Sequence, residues 1–149
     1  MLLVALTILT LSHSIHADGS IWGQMEIINR VFLQLGLEPP PITYPTKEQM
    51  DKPDAELLMT ELLNLNKQLK ALKMLSKIPK RRFDKKVFKI LRRILSEMRP
   101  SFSNLQLDDN VLRHQYHLTK NDIDLFNYLY DDTYLALIEL NCRYNRRNT

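Results

Sequence analysis

Residues 54–78 decide the fold class: Asp-Ala-Glu-Leu-Leu-Met-Thr-Glu-Leu-Leu-Asn-Leu-Asn-Lys-Gln-Leu-Lys-Ala-Leu-Lys-Met-Leu-Ser-Lys-Ile. Leu58, Leu62, Leu65, Leu69 and Leu72 recur at alternating intervals of four and three, which places them on one face of a helix. A half-buried strand would repeat its apolar residues at every second position. Leu57, Met59, Leu63, Met74, Leu75 and Ile78 carry apolar surface well beyond that seam, so the spacing predicts a helix central in its fold. The seam stops at Ser76, short of a sustained coiled coil. Acids come first (Asp51, Asp54, Glu56, Glu61) and bases last (Lys67, Lys70, Lys73, Lys77), the order that suits a helix dipole.

Outward from this stretch, helical spacing recurs three more times. Ile21, Met25, Ile28, Val31, Phe32 and Leu35 form a stripe, with Glu26, Arg30 and Gln34 lying off it and Gly36 placed to end the helix. Glu38-Pro-Pro-Pro41 then forces extended chain. A third helix is expected over Phe83–Arg99, with Asp84 acting near its start and Pro100 helping to stop it. The fourth starts at Thr119, with Asp122 three residues on as an approximate capping box. It runs through Ile123, Phe126, Tyr130, Leu137 and Leu140 towards Tyr144, and Asp131-Asp132-Thr133 is its weakest point. A short turn of helix is expected around Asp109–Tyr116.

The fold class is therefore all-α, a four-helix bundle. Its connections run long, short, long, which suits an up-up-down-down order with two long crossovers, as in growth-hormone and cytokine bundles. This is an analogy of connection lengths and not of residue motifs.

The net charge of +4 hides a segregated chain. Residues 18–66 hold eight acids and three bases, residues 67–99 thirteen bases and two acids, and residues 100–141 seven acids and two bases. The basic segment contains the clearest amphipathic helix. Phe83, Val87, Phe88, Ile90, Leu91, Ile94, Leu95 and Met98 share one side of it, and Lys85, Lys86, Lys89, Arg92 and Arg93 fill most of the opposite side. That basic face is the candidate partner-binding surface. It suits a cell-surface receptor or other acidic extracellular partner, including sulfated glycans. The same helix also suits an anionic membrane surface. Nucleic acid is disfavoured, because no base-stacking aromatics accompany the bases.

Compartment governs how these features are read. Met1–Ala17 is an apolar run of signal-peptide length with a small-residue exit, although no Lys or Arg precedes its apolar core. The expectation is cleavage after Ala17, leaving residues 18–149 as a single extracellular helical domain. Cys142 is the only cysteine, and an unpaired cysteine in an oxidising compartment points to an intermolecular disulfide and a homodimer. On the helical projection it falls with Asp124 and Asp131, on the solvent side. Arg81 and Arg82, after Pro79-Lys80, form a dibasic site open to proteolytic processing.

His114 and His117 lack a third convergent ligand, and no nucleophile stands with a His and an orienting acid. No metal, cofactor or enzymatic activity is expected. The sequence points to a secreted binding protein, a cytokine-like or extracellular regulatory ligand. The alternatives are a cationic membrane-active defence protein and a non-signalling component of a secreted fluid.

Overall fold

The computed structural model describes residues 21–52, 54–77 and 85–145. The fold is all-α: six helices and no strand occur among the described residues. They are α1 (Ile21–Gln34), α2 (Lys47–Asp51), α3 (Ala55–Leu75), α4 (Lys85–Ser103), α5 (Asp109–His114) and α6 (Lys120–Asn145). Met1–Ala17, Arg81 and Arg82 lie outside the described residues, as do Phe83, Asp84 and the Arg146-Arg147 pair.

Helix ends follow local chemistry. Asp54 caps α3 by accepting from the Leu57 amide at 2.8 Å. At the start of α6 the Asp122 amide donates to Thr119 Oγ1 at 3.3 Å, and the Thr119 amide donates to Asp122 Oδ2 at 3.4 Å. Gly36 takes a φ of 73°, and the Leu37 amide reaches back to the Phe32 carbonyl at 2.9 Å, closing α1 in a Schellman turn. The short helix α2 adds to the sequence reading. Its signal is the capping box Thr46-x-x-Gln49, in which both reciprocal bonds form.

The α3 seam is the centre of the core, with Leu62, Leu65, Leu69 and Leu72 essentially inaccessible. The longer helices touch in a ring: α1 packs on α3 and α4, and α6 packs on the same two. Their directions follow from side-chain pairings. Asn66 meets Asp132, Lys73 meets Glu139 and Ser76 meets Arg143, so α3 and α6 run the same way. Phe88 meets Tyr144, Asn141 donates to the Leu95 carbonyl, and Phe102 stacks on Tyr130, so α4 runs against α6. Gln24, near the start of α1, donates to Ser101 near the end of α4 at 3.3 Å, so α1 also runs against α4.

The pairings therefore replace the up-up-down-down order with one helix, α4, opposing three parallel ones. The physical reason lies in the connection after α4. Its length is spent on α5, which folds back on the first turns of α6 with Asn127 donating to Asp109 at 3.0 Å, and it need not cross the fold.

Two further expectations are corrected. Pro100 does not stop α4, which continues to Ser103. Phe102 is fully buried, stacked on Tyr130 at 4.6 Å and facing Tyr134 at 5.9 Å, and that burial outweighs the missing proline donor. Arg30 is buried, whereas the helical stripe put it on the polar side. It pairs with Glu26 one turn back at 3.0 Å. The connection after α1 doubles back beside that turn, with the Tyr44 hydroxyl donating to Glu26 and its ring 6.0 Å from that of Trp22.

Phe102→Ala is expected to cost about 3–5 kcal/mol in urea unfolding, as for other buried aromatics. Pro100→Ala, at an exposed site in the same helix, should be neutral or stabilising by up to about 3 kcal/mol. Equal effects of the two substitutions would refute this account of the end of α4.

Candidate functional site

Because α3 and α6 are parallel, the alternating charge of the sequence becomes two poles. The acid-rich starts of α3 (Asp54, Glu56) and of α5 and α6 (Asp108, Asp109, Asp122, Asp124) lie at one end. At the other end lie the last turns of α3 (Lys73, Lys77), the start of α4 (Lys85, Lys86, Lys89, Arg92) and Arg143 at the end of α6. Sequence reasoning found the α4 bases. It missed that bases from two other helices join them, because that depends on helix direction.

Within this basic pole, Lys85, Lys86, Lys89 and Arg93 are exposed and Arg92 is half-buried. Arg92 Nε donates to Asn145 Oδ1 at 2.9 Å, which ties α4 to the end of α6. Arg93 Nε pairs with Glu97 at 2.9 Å, and that hydrogen bond holds its guanidinium above its usual pKa. The apolar side of the same helix is consumed: Val87, Leu91, Ile94, Leu95 and Met98 are all core residues. The bases are thus what α4 presents, together with the edge of Ile90.

The α3–α6 seam carries a polar ladder that the sequence did not reveal. Asn66 Nδ2 donates to Asp132 Oδ2 at 3.0 Å and to Thr133 Oγ1 at 2.9 Å. Lys70 pairs with Asp132 at 2.7 Å, and Lys73 with Glu139 at 2.8 Å. Arg143 donates to Ser76 Oγ and to Glu139, each at 2.7 Å. The Lys70 and Asn66 hydrogen bonds hold the Asp132 carboxyl below its usual pKa, and Lys73 does the same for Glu139. The Asp131-Asp132-Thr133 stretch, which read as the weak point of the last helix, is its anchor.

Cys142 is exposed, as its place on the helical projection predicts. His114 and His117 are also exposed, and no group of three His, Cys, Asp or Glu among the described residues is placed to hold a metal ion. Trp22 is a core residue. Near the acidic pole a cleft of about 470 Å³ opens between the α4–α5 connection and α6, lined by Leu107, Asp108, Asp109, Phe126, Tyr130 and others. Of its acids, Asp108 caps α5 and Asp109 accepts from Asn127, while Asp131 lines the α6 wall. No helix among the described residues is long and apolar enough to cross a membrane.

One titratable group stands apart. Burial pushes the Glu61 carboxyl up to about 7, from an unperturbed 4.5. A carboxyl raised in the folded state stays protonated where the unfolded chain has already ionised. Stability should therefore fall as pH rises from about 4.5 to 7 and level off above that. Glu61→Gln should flatten this slope and stabilise the protein by about 1–3 kcal/mol at pH 8, with little change at pH 4. Urea unfolding across that range checks it, and an unchanged slope in the variant would place the titration elsewhere.

Comparison of the chain with protein-family models, with curated proteins and with solved structures found no match.

Proposed function

We propose that this protein is a secreted four-helix-bundle ligand that binds an acidic extracellular partner, a receptor surface or a sulfated glycan, through its basic pole. The observation that carries the reading is the position of Lys85 and Lys89. They occupy the opening turns of α4, whose first described turn holds no acid. A helix N-terminus is partially positive, so cations there oppose the dipole of their own helix. Lys73 and Arg143, in the last turns of α3 and α6, suit their helices, whereas the α4 bases do not. An acidic partner would offset that local cost and meet all of these charges together.

The alternative of a cationic membrane-active protein loses support from the same helix. Membrane insertion of α4 needs its apolar side, and that side is in the core beside α1 and α6. Opening the fold to release it would expose the α3 seam as well. Secretion rests on the apolar run and small-residue exit of Met1–Ala17.

Two measurements test the reading. Expressed in secretory cells, the protein should appear in the medium with an intact mass that begins at Asp18. Retention in the cytosol with Met1–Ala17 attached would end the extracellular interpretation. The double variant Lys85→Glu, Lys89→Glu should bind heparin, or its cell-surface partner, at least about tenfold more weakly at physiological salt. Because both side chains are exposed and oppose the dipole of α4, its unfolding midpoint should be unchanged or slightly raised. Undiminished binding by this folded variant would rule out the basic pole as the contact.

A further inference from the structure

We propose that a second copy of this chain docks on the outer face shared by α3 and α6, each copy's α3 lying over the other's α6. Half of the large apolar side chains exposed among the described residues gather on this face. Leu63 (41%) and Met74 (65%) stand on α3; Leu125 (49%), Tyr128 (66%) and Leu135 (66%) stand on α6. Tyr128, Leu135 and Cys142 repeat at heptad spacing, the register of a helix that packs along another. The ion pairs of Lys70 with Asp132 and Lys73 with Glu139 line the valley between the two ridges.

Charge complementarity selects the occupant. The outer ridge of α3 is basic, with Lys67 between Leu63 and Met74; on α6 the acid between Tyr128 and Leu135 is Asp131, on the flank where that helix also lines the cleft. Both Lys67 and Asp131 are exposed. The two helices run the same way, and the Asn66, Lys73 and Ser76 pairings across the seam join residues 66 or 67 positions apart. A two-fold axis along the helices therefore sets α3 of one copy over α6 of the other, parallel and at equal height. In that register Leu63 stands one or two residues from the height of Tyr128, Lys67 two or three from that of Asp131, and Met74 one or two from that of Cys142, offsets of about 2–5 Å that long side chains span. Each contact occurs twice, as an isologous interface requires.

The face is large enough. A helix of this length spans about 30 Å and two neighbours present about 20 Å of width, or about 600 Å² per copy. The total of about 1,200 Å² reaches the range of specific interfaces. Cys142 of each copy lies over the end of the other's α3 and away from its twin, so this dimer needs no disulfide. The basic face of α4 stays outside it.

Sedimentation equilibrium and light scattering of the full mature chain, in reductant and from about 1 to 100 µM, test the proposal. A reversible dimer is expected, unchanged by Cys142→Ser and lost in Leu135→Lys. Lys67→Glu and Asp131→Lys should each weaken dimerisation at least tenfold, and the two combined should restore it. Circular dichroism and unfolding midpoints confirm that these surface variants remain folded. A reduced wild type that stays monomeric over the whole range overturns the proposal. So does a dimer that requires Cys142, one that survives Leu135→Lys, or a charge swap that restores nothing.

Discussion

The parallel seam between α3 and α6 is the constraint on which the rest of the molecule depends. Its apolar half, Leu62, Leu69, Ala136 and Leu140 among others, is non-directional and would tolerate sliding by a turn. Its polar half would not. Asn66 is buried and bonded to both Asp132 and Thr133, and a slip of one turn would leave its amide without partners. An unsatisfied buried polar group costs about 1–3 kcal/mol, a large share of a small domain's stability. The ladder from Asn66 to Ser76 thus fixes the register, and the register fixes which chain ends meet.

From that register the charge distribution follows. Segments that alternate acidic, basic, acidic along the chain sort by charge because α3 and α6 run the same way and α4 runs against α6, so that the basic start of α4 meets their basic ends. Three helix C-termini then lie near Lys73, Lys77 and Arg143, and the acids crowd the N-terminal ends. Dipole complementarity accounts for these, at about 0.3–1 kcal/mol for each well-placed charge. It accounts less well for Lys85, Lys86 and Lys89, whose own helix points the other way. The neighbouring C-termini supply part of the compensation, and an anionic partner would supply the remainder.

The sequence revealed elements more fully than it revealed their relations. The leucine seam of residues 58–72, the capping box at Thr119 and the short helix near Asp109 all follow from spacing and local chemistry, which a single chain displays. Direction is different, because it depends on pairs such as Lys73 with Glu139 that lie far apart in sequence and leave no local trace. Connection length was a poor substitute. A long segment can cross a bundle or fold a helix of its own, and the segment after α4 does the latter. Pro100 shows the same limit: its local rule says stop, and only the buried position of Phe102 shows why the helix continues. The bases of α4 were legible, but the pole they share with α3 and α6 was not.

The fate of α4's apolar side also separates two uses of one amphipathic pattern. Taken as a peptide, Lys85–Ser103 has the division of faces that favours an anionic bilayer. Within the fold, Leu91, Leu95 and Met98 have no accessible surface left to give. Releasing even three such side chains would forfeit about 5–9 kcal/mol of burial, comparable to the whole stability of a domain this size. Contact with an anionic surface therefore has to be made by the charged side alone, as an electrostatic encounter that salt weakens and the fold survives. Such an encounter discriminates by the arrangement of charge. The chain fixes that arrangement through the ladder of α3 and α6, so the surroundings of the charges on α4 are set in part by residues of other helices.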